Sequence, residues 1–312
     1  MKKVIVFIFC CIQLSFAQAQ NTANDSLLVQ IEQAENKYQQ VLWMINFVEN
    51  TIGVRPEETM AYQEKALSYF DNTAFPDKTT VALIWATLIN RSQGKMELAI
   101  KENLEVVEIL EQNAVSDPYA QRLLSKMLGY LGQLYARSHY YEPVLDYFFQ
   151  ALAIAEAQDY KEVQGMALNG LAVLYSESYE DNELAIEYGE RALAISKETA
   201  NQYGIMILTD NMARYQTNVG NLDKALPLHQ EAIRLAKELN RVPYLGDFYN
   251  NLGTNYLKQG KVEQAIAAAL EAISIAAESR NAFVLGYSYH LLGKCMLQKK
   301  IGLRLLPILT KP

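Results

Sequence analysis

Apolar and polar positions along this chain recur as a block. The pair Leu131-Gly132 returns as Leu171-Ala172, Met212-Ala213, Leu252-Gly253 and Leu292-Gly293, at steps of 40, 41, 40 and 40 residues. Tyr135, Tyr175 and Tyr256 follow in one fixed slot, which Gln216 and Met296 fill in the other copies, and alanines come next at Ala151, Ala192, Ala232 and Ala272. A fixed period of this size means that one supersecondary unit is stacked many times. In the copy from Asp247 to Arg280, residues Tyr249, Leu252, Gly253 and Tyr256 are three and four apart and share one helix face. Gly260 supplies a helix stop, since it reaches positive φ without strain. A second helix then carries Ala265, Ala269 and Ala272 on one face. Gly253 set against Ala272 lets the two backbones approach closely. The pattern therefore predicts an antiparallel helical hairpin with a small-residue seam, which needs stacked neighbours to bury its faces.

These residues resemble the tetratricopeptide repeat family, whose helix A carries a bulky residue, Leu-Gly and Tyr, and whose helix B carries small residues around an aromatic one. Four copies agree in phase across 125–279. The match is weaker at 80–113, where Gly94, Met96 and Ala99 keep the turn and the start of helix B, and weakest around 40–73, where Pro56, Ala61 and Ala66-Leu67 suggest one more helix B. The step is longer than the usual unit and looks like the long-repeat, exported bacterial subgroup, which includes peptide-binding scaffolds and regulators. Two departures stand out: Gly189 and His229 replace the helix B aromatic, and the final proline of helix B is absent. The resemblance implies an all-α, right-handed superhelical solenoid of roughly six antiparallel helix pairs over residues 20–312.

The ends differ from the middle. Lys2-Lys3, the apolar run from Val4 and Ala17-Gln18-Ala19 read as a secretory signal over residues 1–19, which places the protein in the periplasm or outside the cell. Asn24-Asp25-Ser26 suits a helix N-cap. Leu27, Ile31, Ala34, Tyr38, Val41, Ile45 and Val48 then predict one long capping helix over about 25–50. Pro56 with Glu57-Glu58 suits a first helical turn, as does Pro143, whereas Pro227 falls inside a helix and predicts a local kink. The last unit, 286–312, is incomplete: helix A runs from Tyr287 to Leu297, but Gly302 to Pro312 lacks a second helix and carries Leu303, Leu305, Leu306, Ile308 and Leu309 around Pro307. Two readings stand, an irregular cap or a frame cut short before further domains.

Charge narrows the partners. The formal net charge is −7, and it is two units more negative once Lys2 and Lys3 leave with the signal. An acidic chain lacks the basic stripe that nucleic-acid phosphates demand. No apolar run after the signal reaches the ~20 residues that span a bilayer. Cys10 and Cys11 lie in the signal, so Cys295 remains alone and reads as a buried packing thiol without a disulfide partner.

Candidate chemistry is sparse. None of His139, His229 and His290 has a His or Cys three or four residues on, and no phosphate loop or nucleophile motif is present. Neither a catalytic site, a metal site nor a cofactor is expected. The better constellation lies on helix A. In the family, the groove is lined by the position two before Leu-Gly and the position just after it. On this chain the resemblance marks Asn169, Asp210, Asn250 and His290 at the first, and Gln133, Arg214, Thr254 and Lys294 at the second, with Arg137, Asn218 and Lys258 one turn on. An asparagine amide both donates and accepts, so it can pair with a peptide unit of an extended ligand. Arg137, Arg214 and Lys258 would select acidic side chains. The expected function is an exported scaffold that binds a protein or peptide in a concave groove. Two other readings remain, the extracytoplasmic input portion of a truncated signalling protein and an accessory subunit of an exported enzyme system.

Overall fold

The computed structural model describes residues 29–52, 56–72, 74–113, 117–138 and 143–299. The expected signal at 1–19, the Asn24-Asp25-Ser26 cap, His139 and the apolar tail from Gly302 lie outside them. After a helical stretch at 29–33, thirteen helices follow one another among the described residues: α1 (Lys37–Thr51), α2 (Pro56–Leu67), α3 (Lys78–Ser92), α4 (Met96–Asn113), α5 (Pro118–Arg137), α6 (Val144–Ala157), α7 (Lys161–Ser178), α8 (Asn182–Glu198), α9 (Gln202–Asn218), α10 (Leu222–Glu238), α11 (Val242–Lys258), α12 (Val262–Glu278) and α13 (Ala282–Gln298). Each odd-numbered helix is the A helix of a repeat and each even-numbered one its B helix. The chain divides into two compact units, one through Val163 and one from Gln164, so Glu162 in the first turn of α7 belongs to the first unit.

Local chemistry sets the helix ends. Asp77, Asp117, Asn201 and Asn281 each accept a backbone N–H at the start of α3, α5, α9 and α13; such caps stabilise by about 1 kcal/mol each. At the turns the chain passes through the left-handed region. Gly260 does so at φ +76, and Lys261 N donates to Tyr256 O at 2.9 Å, closing the last helical turn of α11. The turns after B helices use L residues for the same step, at Asp159, Ala200, Asn240 and Arg280.

In the first unit the apolar faces enclose Trp85, Leu110, Leu123, Met127 and Phe148, all buried. Gly132 leaves room for the Phe148 ring: a Cβ there would lie 2.7 Å from it. In the second unit the slot of Phe148 is held by Gly189 and then His229. Met212 covers Gly189, its Sδ 2.6 Å from where a Cβ would stand. The departure noted in the sequence is thus compensated by a flexible thioether.

Two expectations change. The seam of α11 and α12 does not pair Gly253 with Ala272. Gly253 faces Ala265, Ala268 and Leu291, while Gly246 faces Val284 and Ala272 O. The two helices run antiparallel, so residues late in α11 meet residues early in α12. The long opening helix is interrupted: residues 29–33 are helical, the chain leaves the helix at 34–36, and Asn36 caps α1 afresh by accepting from Gln39 N at 2.9 Å. A periodic apolar stripe carries across such a break, which is why spacing alone did not reveal it. Pro227 lies inside α10, where its place in the repeat put it. Cys295 is buried and free, and burial pushes its thiol up.

Candidate functional site

The polar edges of the A helices hold the candidate site, in different forms in the two units. In the first unit it is charged. Lys126 interrupts the apolar stretch Leu123–Leu131 of α5, and its side chain is only 2% exposed. A buried ammonium is costly unless it is paired and hydrogen-bonded. Here its Nζ meets Glu162 Oε1 at 2.6 Å and Glu49 Oε2 at 3.2 Å, and donates to Asn46 Oδ1 at 3.1 Å. Arg91 of α3 pairs with Glu49 at 3.2 Å, donates to Gln133 Oε1 at 3.4 Å and stacks over the Tyr130 ring at 4.4 Å. Burial, then Glu49, pushes the Tyr130 phenol well up.

Arg122 adds a second cation to Glu162, at 3.1 Å. Burial raises that carboxyl, but Lys126 and Arg122 together outweigh it and hold it below the usual glutamate range. A carboxyl depressed by folding contributes stability that is present above its unfolded value and lost as pH falls through the folded one. Acid sensitivity in this cluster is therefore expected to begin below about pH 4.5, the ordinary glutamate value. Glu162→Gln should flatten the fall in stability between about pH 7 and about pH 3. Urea midpoints measured at both pH values check this, and an unchanged fall would show that the pairing contributes nothing.

In the second unit the edge is a row of amides and one carboxylate. Asn211 of α9 donates to Asn169 Oδ1 of α7 at 3.0 Å, and Asn251 of α11 donates to Asp210 Oδ2 of α9 at 2.7 Å. The rule is one position of offset: the residue one before the Leu-small or Met-small pair donates to the residue two before it in the preceding A helix. The next rung would need Leu291 to donate to Asn250, and leucine cannot. Asn250 is accordingly 1% exposed with neither amide atom partnered among the described residues.

Asp210 reaches further inward. Its Oδ1 lies 3.3 Å from His229 Nδ1, and His229 Nε2 lies 3.1 Å from Thr217 Oγ1. Thr217 gives its single hydrogen to Ala213 O at 2.8 Å and accepts from Asn255 Nδ2 at 3.0 Å. His229 is thus held at both ring nitrogens, by Asp210 and by Thr217. Asp247 feels the same neighbourhood, since burial and then Asp210 raise its carboxyl.

The residues marked in the sequence fall into three groups. Asn169 is half-buried, and Arg137 is exposed without an ion partner among the described residues. Gln133, Arg214, Thr254 and Lys258 have partners inside the fold: Gln133 accepts from Arg91, Arg214 pairs with Glu177 at 3.1 Å, Thr254 donates to Asn250 O, and Lys258 donates to Thr217 O. Asp210 and Asn250 are buried, which corrects their expected exposure in a groove. The physical reason is that this edge of α9 and of α11 faces the A helix that follows it. His290 and Lys294 are exposed, and exposed Asn218 donates to Asn182 Oδ1 at 3.1 Å. Sequence reasoning missed Asn211, Asn251, Glu49, Arg91, Lys126 and Glu162. The first pair was detectable, because both directly precede the repeating Met-Ala or Leu-Gly pair. The charged cluster follows no period, and only a lysine amid leucines hinted at it.

Among the described residues no helix is long and apolar enough to cross a membrane. Residues 205–278 match the sequence model of the tetratricopeptide repeat. No curated protein sequence matches the chain. Among solved structures the chain is similar to a Rap protein complexed with Competence and Sporulation Factor, with a TM-score of 0.62 and 17% identity, covering 90% of this chain and 80% of that one. It is similar to NprR in complex with its cognate peptide NprX, with a TM-score of 0.61 and 16% identity over 83% of this chain and 73% of that one. It also resembles BtubC from P. vanneervenii, with a TM-score of 0.54 and 16% identity over 82% and 92%. Another similar chain, from Bacillus subtilis, is named aspartyl phosphate phosphatase F and is 14% identical. At such identities the likeness is one of fold, and that fold is the helix-pair repeat of the tetratricopeptide type.

Proposed function

We propose that the protein is an exported, non-catalytic scaffold that binds an extended peptide or protein segment along the A-helix edge of its second unit. The observation that carries the reading is the amide row. Asn169 and Asn211 are half-buried and hydrogen-bonded to each other through one atom each. That bond fixes both side chains while leaving the Asn169 Nδ2 donor and the Asn211 Oδ1 acceptor for a ligand. A donor and an acceptor held side by side match the C=O and N–H of a peptide backbone, and a preorganised pair loses little entropy on binding. Two chains of similar fold support the reading, since NprR is seen with its cognate peptide and Rap with Competence and Sporulation Factor. Export rests on Lys2-Lys3, the apolar run and Ala17-Gln18-Ala19.

The test uses peptides selected from a random displayed library on the mature chain, titrated against the wild type and Asn169→Ala/Asn211→Ala. The double variant is expected to bind at least about tenfold more weakly, because each lost amide leaves a ligand group unpaired at roughly 1–3 kcal/mol. Its stability should fall by only about 1 kcal/mol, the worth of one partly exposed hydrogen bond. Equal affinities would remove the amide row from the binding surface.

A further inference from the structure

Stacked tyrosine pairs brace two hairpins of this protein and are missing from a third. Tyr135 stacks on Tyr147 between α5 and α6, with centroids 5.6 Å apart and planes at 7°. Tyr175 stacks on Tyr188 between α7 and α8, at 5.5 Å and 8°. The same two slots of α9 and α10 hold Gln216 and Leu228. Shorter side chains replace two rings, and a cavity of about 470 Å³ opens there between α8, α9 and α10. Its apolar lining comes from Leu193 and Ala194 of α8, Met212 of α9 and Leu228 of α10. Gln216 is held beneath them, its Oε1 accepting from Asn221 Nδ2 at 2.8 Å.

Charge gives this cavity a direction. Lys197 and Lys224 line it and are exposed, and neither has an ion partner among the described residues. Glu190 is the one acidic side chain lining it. The geometry points to a binding site for the C-terminal aromatic residue of a peptide, its ring filling the space of the absent tyrosines and its carboxylate set on Lys197 and Lys224. This site is separate from the amide row: Met212 and Gln216 lie roughly 100–140° around α9 from Asn211.

The probe is an acetylated tripeptide ending in phenylalanine with a free carboxylate, compared with its C-terminal amide, with free phenylalanine and with the tripeptide ending in alanine. The readout is the Met212 methyl resonance in methyl-labelled protein, assigned through Met212→Leu. The free-carboxylate peptide is expected to shift that resonance saturably, through the ring current of its phenyl group, and the alanine peptide to leave it in place. The amide should bind roughly fivefold more weakly, as should the free-carboxylate peptide on Lys197→Gln/Lys224→Gln, whose two changes are exposed and leave the packing intact. Gln216→Tyr/Leu228→Tyr rebuilds the tyrosine stack and should abolish the shift while the circular dichroism melt stays cooperative. Should that variant fail to fold, the lysine variant decides the matter. Equal binding of acid and amide, a shift that survives the rebuilt stack, or free phenylalanine binding as tightly as the peptide would each overturn the assignment. Loss of peptide binding in the Asn169→Ala/Asn211→Ala variant with this shift intact would tell the two sites apart.

Discussion

Replacing Asp210 by alanine is expected to lower the stability of the second unit by about 3 kcal/mol. The carboxylate is 4% exposed and faces two donors, His229 Nδ1 at 3.3 Å and Asn251 Nδ2 at 2.7 Å. His229 is 0% exposed, so no solvent reaches the ring nitrogen once its acceptor is gone. A buried group left unsatisfied costs about 1–3 kcal/mol, and the half-buried Asn251 amide loses its acceptor as well. Asp210→Asn keeps one acceptor oxygen and should lose roughly half as much. Urea unfolding followed by circular dichroism measures both. An alanine variant with the wild-type midpoint would show that the His229 network does not form in solution. The result also bears on binding, because a residue with this much structural work is a poor mutational probe for a ligand.

Gly253→Leu should be nearly as damaging, at about 1–3 kcal/mol, because it overpacks a closed seam. A Cβ at this position would stand 2.8 Å from Leu291 Cδ2, 3.3 Å from Ala268 Cβ and 3.4 Å from Ala265 O. Leu291 could turn aside, but Ala268 Cβ is fixed to the backbone of α12 and cannot give without shifting that helix. One repeat on, the equivalent Gly293 offers a control, since a Cβ there meets no atom within 4 Å among the described residues. Gly293→Leu should therefore cost almost nothing. Thermal melts of the two variants side by side separate a packing effect from the helix propensity of leucine, which both share. Equal melting temperatures would show that α11, α12 and α13 do not meet at Gly253.

How a repeat closes was legible in the residues themselves. Helix periodicity, the turn at Gly260 and the alanine face of α12 are properties of one segment and its immediate neighbours, so the forty-residue block specified helix pairs before any tertiary contact was known. The caps at Asp77, Asp117, Asn201 and Asn281 are equally local. Spacing also identified the polar edge of each A helix. It could not say what that edge faces. Asn169 and Asn250 occupy the same slot, yet one is half-buried and the other is buried with neither amide atom partnered among the described residues. The difference lies forty residues further on, where Asn211 answers Asn169 and Leu291 does not answer Asn250. Only the tertiary structure decided that, as it decided that Lys126 is neutralised by Glu49 and Glu162 from two other helices, and that Gln216 and Leu228 leave a cavity where other hairpins stack two rings. A periodic pattern records how a helix turns on its own axis; burial, pairing and open volume depend on which side chain the neighbouring helix brings to the same place.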